Sequence, residues 1–515
     1  MSGIADQDLY DVAIVGFGPT GAIAAGLLGA KGIRTLVCDK LHGVYDKPRA
    51  IALDHEISRV FQQMGVGKKI KPFLEPFTDS VYYGVDGQVI KRMSTVAAPY
   101  PLSHMPSVVF TQPPVEKILR EYAQSHPSVT VELGVTLTDL TQDADHATLT
   151  LQQEDGRTSQ VGARYVLGCD GASSTVRSMV CIGLQDLGFD EPWLVVDVIV
   201  NERGLSKLPT TSVQYCNPER PATYVIGPGH HRRWEISINE GEDPKALATS
   251  EGTWQMLSPW LTREDGELWR QASYRFHALV ADEWRKGRVF VAGDAAHQQP
   301  PFLGQGMCQG VRDAVNICWR LEAVLKDGAA QTLLDSYGVE RKAHVTELTT
   351  RIKGIGQIIT ERDVTKARAR DAKLLADCGG VVQPTPRQDV QPALPAGLLG
   401  SLVHPARGTI FPQPLLKMPD GQQLRMDDVY PAGWKVVFNS DADEEFAKAS
   451  ANHHLPRLQT LQLGSPTFTE AEGVLGRWFA SHGVAAAIVR PDHYIYGVCK
   501  TPQDLATQLA ALKLA

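Results

Sequence analysis

The stretch YDVAIVGFGPTGAIAAGLLGA, residues 10–30, decides the fold predicted for this chain. Tyr10–Val15 is a short apolar run, which is typical of a buried parallel strand. Ala22–Ala30 is rich in Ala and Leu and predicts a helix, which Gly32 ends as a C-cap. Because Ile33–Cys38 predicts a second strand, the order is strand, glycine turn, helix and strand.

The glycine turn has the spacing G-x-G-x-x-G, formed by Gly16, Gly18 and Gly21. The first glycine allows the tight turn, the second lets the backbone approach a pyrophosphate, and the third lets helix and strand pack closely. The helix N-terminus adds positive potential for the anion. Asp39 follows about 20 residues on, where the fingerprint expects a ribose-binding acid. The motif predicts a dinucleotide site but does not separate NAD from FAD.

Composition limits the class of protein. The chain has 515 residues, which predicts two or three domains, and 43% hydrophobic and 21% charged residues are ordinary for a soluble globular protein. A net charge of -7 argues against a nucleic-acid partner. The N-terminal segment lacks the pattern of a signal peptide, and no apolar run approaches a membrane span. Eight cysteines without a C-x-x-C pair predict a reduced, cytoplasmic chain.

The same kinds of pattern predict the remaining organisation of the chain. The predicted elements are a helix at Leu53–Met64; strands at Val129–Leu133, Ala147–Leu151, Tyr165–Cys169 and Val289–Ala292; a strand-rich segment at Gln185–Phe276; helices at Gly306–Leu325 and Leu333–Ile359; a Pro-rich linker at Val382–Leu398; strands at Trp434–Phe438, Thr460–Leu463 and Ala486–Val489; and a final helix capped by Thr501.

Two further motifs distinguish FAD from NAD. The first is Gly168–Arg177, which contains Asp170-Gly171; the second runs from Gly293-Asp294 to Met307 through Pro300-Pro301 and G-Q-G. With the glycine turn, and in this order, they resemble the para-hydroxybenzoate-hydroxylase-like flavoprotein monooxygenases. In that family the Asp of G-D contacts the ribityl chain of FAD, and the D-G motif helps both FAD and nicotinamide to bind.

The physics of the last motif is independent of the family. An apolar strand delivers Asp294 at its carboxyl end, where an acceptor meets sugar hydroxyls. Gly304 and Gly306 let backbone N–H groups face a flat ring at the start of a long helix, whose N-terminus carries roughly half a positive charge. The resemblance assigns cofactor binding to Gly16, Gly18, Pro19, Thr20, Gly21, Asp39, Lys40, Arg49, Gln112, Val135, Asp170, Gly293, Asp294, Pro301, Gly304, Gly306 and Met307.

Within this family the chain most resembles the 3-(3-hydroxyphenyl)propionate hydroxylase branch, through the run 304–314 and through Arg233-Trp234-Glu235. The resemblance covers Leu9–Arg351 well. It implies an α/β fold with three parts: a Rossmann-like FAD-binding domain, an inserted strand-rich substrate domain and a C-terminal thioredoxin-like domain. We expect these at 1–184 with 277–381, at 185–276, and at 382–515 including the linker. Cys378 and Cys499 are too far apart in sequence for a thioredoxin-type disulfide.

The resemblance implies that NADH or NADPH reduces FAD and that O2 then forms a C4a-hydroperoxyflavin, which hydroxylates a phenolic ring. A hydrogen-bonding Tyr or His near the substrate hydroxyl would favour the more reactive phenolate. Candidates in the strand-rich segment are Tyr215, Tyr224 and His231, although packing or surface roles are the more common ones for such residues. No spacing predicts a metal site. The expected partner is a small aromatic substrate, with neither nucleic acid nor membrane, and a homodimer is left open.

Other functions share part of this pattern. The substrate could be another aromatic, such as a resorcinol, quinoline or polyketide. A flavin-dependent halogenase would share the FAD motifs, but its W-x-W-x-I-P signature is absent from the sequence. A two-dinucleotide oxidoreductase would usually show a second G-x-G-x-x-G. A non-enzymatic flavin sensor would not explain a whole substrate-sized middle segment.

Overall fold

Tyr10–Val15 is the central strand of an eight-stranded sheet in the computed structural model, which describes residues 9–451 and 453–514. Its neighbours, Thr35–Asp39 and Thr158–Gly168, both run parallel to it. Successive side chains from Val12 to Ile14 are fully buried, so both faces of the sheet are covered, as parallel sheets require. The predicted α/β fold is confirmed. The strands in spatial order are Arg285–Lys286, Val289–Val291, Thr158–Gly168, Tyr10–Val15, Thr35–Asp39 and Val129–Leu133, with Ala147–Gln153 and Val135–Gln142 added through Thr158–Gly168.

A nine-stranded sheet contains the segment 185–276. Its strands in order are His297–Gln298, Gly266–Ala281, Leu184–Val200, His231–Ser237, Ala222–Ile226, Ser212–Tyr215, Ser80–Tyr83, Val89–Ser94 and Pro384–Pro386. Ser80–Tyr83 joins it by parallel pairing with Ser212–Tyr215. The sheet therefore takes in chain from both sides of the predicted segment, which a local sequence pattern does not reveal.

The Pro-rich passage predicted as a linker is partly structured. Pro384–Pro386 pairs in parallel with Val89–Ser94 and forms the edge of the nine-stranded sheet. Proline is compatible with an edge strand because the outer side of that strand needs no N–H donor. The 3-10 turn Arg387–Val390 follows directly, so this passage packs on the sheet instead of only spanning two domains.

The C-terminal segment builds a separate four-stranded sheet in the order Gln459–Gln462, Lys435–Phe438, Ala486–Val489 and Ile495–Cys499. The first pair is parallel and the other two pairs are antiparallel. With the helices Glu444–Ala451, Val474–His482 and Pro502–Ala511, this is the β-α-β-α-β-β-α order of a thioredoxin-like domain, as predicted. All eight cysteines are free, so no thioredoxin-type disulfide is present.

Two three-stranded sheets complete the strand inventory of the described residues: Ala52–Asp54, Ser107–Phe110 and Leu74–Pro76, and Gln423–Arg425, Leu415–Lys417 and Thr469–Glu470. The remaining helices are Pro19–Ala30, His55–Gln63, Gly67–Ile70, Gln112–Gln124, Thr175–Met179, Glu202–Leu205, Pro244–Leu247, Ser250–Leu257, Gly306–Lys326, Asp335–Thr360, Val364–Asp377 and Met426–Val429.

The helix predicted at Leu53–Met64 begins two residues later, at His55. Asp54 is its N-cap, and its carboxylate accepts hydrogen bonds from the N–H groups of Glu56 (3.1 Å) and Ile57 (3.4 Å). Leu53 instead lies in the short strand Ala52–Asp54. The apolar residues that predicted the helix therefore include one from the preceding strand.

A buried charge cluster connects the thioredoxin-like domain to the FAD-binding part. Glu340, on the helix Asp335–Thr360, accepts two hydrogen bonds from Arg490 (2.9 and 2.7 Å) and pairs with Arg320 at 2.6 Å. All three side chains are fully buried. Burial would raise the pKa of Glu340, but the charges of Arg320 and Arg490 outweigh it and hold that pKa at about 2.

Replacing Glu340 with Gln should strongly destabilise the protein, because it leaves the buried guanidinium of Arg320 without its paired carboxylate and leaves Arg490 with Asp492 alone. We expect a loss of about 3 kcal/mol in the free energy of unfolding, measured by urea denaturation. Glu347→Gln on the same helix is the matched control, since its pair with Arg351 is 41% exposed on both sides and contributes less than about 1 kcal/mol. Equal losses in the two variants would contradict this account.

Candidate active site

The three sequence motifs meet at one edge of the eight-stranded sheet. The turn at Gly16 has a φ of +101° and lies against the second motif: a Cβ there would fall 2.9 Å from the Cα of Asp170. Thr20 lies between the third motif and the long helix, since a Cβ on Gly293 would lie 2.7 Å from its Oγ1, and Gly310 approaches the same atom. Glycine is needed at these positions because three segments share one small volume.

A buried carboxylate holds the third motif in place. Asp313, on the helix Gly306–Lys326, accepts hydrogen bonds from the N–H of Gly293 (2.9 Å), from His297 Nε2 (2.8 Å) and from Arg341 Nε (2.8 Å). Burial would raise its pKa, but the charges of Arg341 and His297 lower it below the usual value. Asp313 therefore stays ionised and determines where the Gly293-Asp294 turn lies. The local sequence around Asp313 does not reveal this role, because its partners are distant in sequence.

Side chains of the second motif brace its own turn and join it to the third motif. The Asp170 carboxylate accepts from Ser174 Oγ (2.5 Å) and from the N–H of Val176 (3.0 Å), so it braces its own turn. Arg177 donates to the carbonyls of Ala295 (2.9 Å) and Ala172 (3.0 Å) and so joins the second motif to the third.

The cleft between the motifs has the features that FAD requires. A Cβ added to Gly18 or to Gly306 would meet no protein atom within 4 Å, so both backbones face open space. The carboxylate of Asp294 is exposed there and accepts no hydrogen bond from the described residues. Desolvation raises its pKa, and the nearby charges of His297 and Arg49 act against that rise. An open cradle with a free acceptor and a cation fits a dinucleotide with its sugar hydroxyls and pyrophosphate.

Asp39 and Gln112 brace the walls of this cleft. Asp39 Oδ2 accepts from the N–H of Phe17 at 2.7 Å, and so fixes the glycine turn. Gln112 Oε1 accepts from the N–H of Ala50 at 2.7 Å, and its Nε2 donates to Glu116 at 3.0 Å. Gln112 thus holds the loop that carries Arg49, a function its local sequence does not reveal.

The other predicted cofactor residues occupy different environments. Pro19 is the first residue of the helix Pro19–Ala30, and Gly304 has a φ of +63° close to Ala52. Val135 is buried at the start of a strand, and Lys40 is exposed. Pro301 is half-buried in the loop that precedes the helix Gly306–Lys326, and Met307 is half-buried in the first turn of that helix. Their contacts to the cofactor stay predictions.

The nine-stranded sheet is tied to the loop of Arg49 by a buried ion-pair cluster. Arg233 donates to Asp197 (2.7 and 3.1 Å) and to the carbonyl of Arg49 (2.7 Å). Arg270 donates to the carbonyl of Pro48 (2.5 Å) and lies 3.5 Å from Asp197. Burial would raise the pKa of Asp197, but the charge of Arg233 outweighs it and holds that pKa at about 2.

His231 belongs to this cluster, while the two predicted tyrosines do not. His231 Nε2 lies 2.7 Å from Asp197 Oδ1. Tyr224 is fully buried among Trp234 and other apolar side chains, and its hydroxyl donates to the carbonyl of Pro209 at 3.3 Å. Tyr215 packs on Trp260 in the same cluster. Since neighbours on a strand alternate between faces, Tyr215 and Tyr224 lie on the face away from Asp197.

Glu235 lies on the same face of the nine-stranded sheet as Asp197, away from the edges of that sheet. Along its own strand it is two residues from Arg233, and on the next strand it pairs with Val195. Two residues beyond Val195, Trp193 packs edge-on against Phe302 of the predicted flavin loop at 5.7 Å. Glu235 is therefore bracketed by the two loops that carry Arg49 and Phe302. The charged–aromatic alternation of Arg233-Trp234-Glu235 indicates one polar face on this strand.

Comparison with known proteins agrees with this geometry. The family model described as "FAD binding domain" matches residues 9–352, and the model "HcaD C-terminal domain" matches residues 408–515. A probable NADH-specific resorcinol 4-hydroxylase of Rhodococcus jostii (strain RHA1) is 35% identical over 98% of this chain and 94% of its own. The chain belongs to the FAD-dependent aromatic hydroxylases. A 3-(3-hydroxy-phenyl)propionate/3-hydroxycinnamic acid hydroxylase of Mycobacterium sp. (strain JLS) is 30% identical to this hydroxylase over 96% and 90% of the two chains.

Solved structures show the same fold over the whole hydroxylase. The flavin-dependent monooxygenase PieE, solved with FAD and substrate, superposes with a TM-score of 0.80 at 20% identity, covering 97% of this chain and 98% of its own. Aklavinone-11 hydroxylase, solved with FAD and aklavinone, gives 0.77 at 23% identity and covers 99% of both chains. These superpositions confirm the predicted fold, and the family model over residues 9–352 confirms the use of FAD. In residues 9–451 and 453–514 no helix is long and apolar enough to cross a membrane.

Enlarging Gly18 should weaken FAD binding without harming the fold. In Gly18→Val the new side chain would enter the open cradle, where it meets no protein atom but would meet a pyrophosphate. We expect FAD affinity, measured by quenching of flavin fluorescence, to fall at least about tenfold, which corresponds to ~1.4 kcal/mol. Gly354→Ala, on an exposed helix position with nothing within 4 Å, should bind FAD like the wild type. Unchanged affinity in Gly18→Val would place the cofactor elsewhere.

Proposed function

We propose that this hydroxylase uses NADH to add one hydroxyl group to a small, uncharged phenol of the resorcinol type. The choice of substrate rests on the charges on the sheet face around Glu235. Arg233 and Arg270, the two cations whose charges act on Glu235, are both occupied by Asp197 and by backbone carbonyls. A carboxylated substrate would find no available cation there, whereas a neutral dihydroxybenzene would need none. The relative named for resorcinol supports the same class.

The residues of the cleft have separable tasks in this proposal. The N-terminus of the helix Pro19–Ala30 would hold the pyrophosphate, and Asp294 would accept from the sugar hydroxyls of the cofactor. When bound, FAD supplies the hydride and oxygen chemistry that side chains lack. The buried aromatic pair Trp193 and Phe302 would exclude water from the reacting ring, while the cluster of Asp197 and Arg233 keeps the sheet against the flavin loop.

A hydroxyphenylpropionate is the second candidate substrate, and one observation favours it. Arg387 donates to the carbonyl of Leu303 at 2.8 Å and stacks 4.1 Å from the ring of Phe77, with no carboxylate partner among the described residues. It lines a cavity of about 250 Å³ with Leu303 and Gln391, behind the predicted flavin loop. A propionate chain that reached past Leu303 would meet this guanidinium. We also propose a cytoplasmic location and a homodimer.

A substrate screen tests the function. Purified protein supplemented with FAD should be yellow and should oxidise NADH faster when resorcinol is added, with hydroxylated product formed in proportion to the NADH consumed. 3-(3-Hydroxyphenyl)propionate, run beside it in the wild type and in Arg387→Gln, tests the second candidate. NADH oxidation that yields only hydrogen peroxide with both phenols would refute hydroxylation of this substrate class. A greater stimulation by the propionate that Arg387→Gln abolishes would reverse the order of the two candidates.

A further inference from the structure

Glu235 has an unusual environment for a carboxylic acid. The residue is only 5% exposed, yet no group of the described residues donates a hydrogen bond to its carboxyl. Thr223, which pairs with Glu235 across the sheet, donates its hydroxyl to Gln214 Oε1 at 2.5 Å instead. Buried carboxyl groups are normally hydrogen-bonded or ion-paired, because an unsatisfied one destabilises the fold. A carboxyl group that lowers stability in this way is expected to have a function.

The position of Glu235 indicates that function. Each pair of residues opposite each other on neighbouring strands forms a row across the sheet. On one side of Glu235 is the row of Asp197 and Arg233, which contacts the carbonyls of Pro48 and Arg49. On the other side is the row of Trp193, which contacts Phe302. Rows two residues apart along a strand are separated by roughly 7 Å, about the width of an aromatic ring with its hydroxyl. A ring placed against this face, between the two predicted flavin loops, would therefore have its hydroxyl within reach of the free carboxyl.

We propose that Glu235 is the catalytic base that takes the hydroxyl proton of the phenol, an inference that rests on the proposed function. The O–H bond of the phenol breaks, its electron pair stays on the phenolate oxygen, and a new O–H bond forms on one carboxylate oxygen of Glu235. No electrons are exchanged in this step. The negative charge moves from the carboxylate to the ring, which becomes a better electron donor.

The electrostatics suit a base that works near neutral pH. Burial raises the pKa of Glu235 to about 7, Arg233 and Arg270 act against the rise, and Asp197 adds to it. A carboxylate with a raised pKa is a stronger base toward a phenol, whose own pKa is about 10, than an ordinary glutamate. Since the ionised form accepts the proton, hydroxylation should increase as the pH rises through about 7, and this limb should depend on Glu235.

Glu235→Gln tests the assignment in the FAD-loaded enzyme. With resorcinol near neutral pH we expect product formation to fall roughly 10²-fold and the pH limb to disappear. The defect should be much smaller with a nitrophenol that is already ionised. A direct readout is the absorbance of bound nitrophenol below its own pKa, which should shift to that of the phenolate in the wild type and not in the variant. The affinity for FAD should be unchanged.

Two further variants keep the test decisive. Glu267→Gln removes an exposed carboxylate from the same sheet and should behave like the wild type in every assay. Glu235→Asp retains the base at shorter reach and should keep the pH limb at a lower rate. Above neutral pH Glu235→Gln should unfold at the same temperature as the wild type or higher, because it removes a buried charge without a hydrogen bond.

The outcomes separate this inference from the function on which it rests. If the wild type hydroxylates no phenol, the proposed function fails. If the wild type is active and Glu235→Gln hydroxylates resorcinol at the same rate with the same pH profile, the inference is overturned and the function stands. Equal losses with neutral and ionised phenols in a stably folded Glu235→Gln would also overturn it, since they would indicate a structural role.

Discussion

The carboxylate of Asp313 is the interaction on which the arrangement of the cleft depends. It is fully buried and ionised, and it binds the backbone of Gly293, the ring of His297 and the guanidinium of Arg341. A buried charge is tolerated only when such partners replace its water, and charge-assisted hydrogen bonds are strong and directional. The turn that presents Asp294 is therefore held from within the protein, and its open side remains available for a cofactor.

Two acids on one face of the nine-stranded sheet have different roles, one in stability and the other in the proposed chemistry. Asp197 is satisfied by Arg233 and His231, and the cluster is tied to the loop of Arg49. Glu235, two residues along the sheet face from the pair formed by Asp197 and Arg233, is also buried but accepts no hydrogen bond from the described residues. The first acid contributes to the architecture by joining the sheet to the flavin loop. The carboxyl of Glu235 has no hydrogen-bond partner among the described residues. This lowers the stability of the free protein, but it leaves the carboxyl available to a substrate.

The thioredoxin-like domain is joined to the FAD-binding part by buried ion pairs and not by a disulfide. Glu340 is shared by Arg320 of the FAD-binding part and Arg490 of the C-terminal domain, and Tyr494 donates to Glu56 at 3.0 Å. Glu56 in turn pairs with Arg312, one residue before Asp313 on the long helix. The C-terminal domain thus buttresses the helix whose N-terminus faces the cleft.

By itself the sequence determined the dinucleotide fold, the order of the three FAD motifs and the family, because these depend on local patterns: an apolar strand, glycines at set spacing and an acid at a strand end. It also contained Arg233-Trp234-Glu235 without showing the role of each member. Only the tertiary structure decided that Tyr215 and Tyr224 face away from the cleft, that Gln112 and Asp170 brace loops, and that Glu235 lacks a hydrogen bond. Those properties depend on which strands become neighbours, and residues 80–94, 184–281 and 384–386 meet only after the chain has folded.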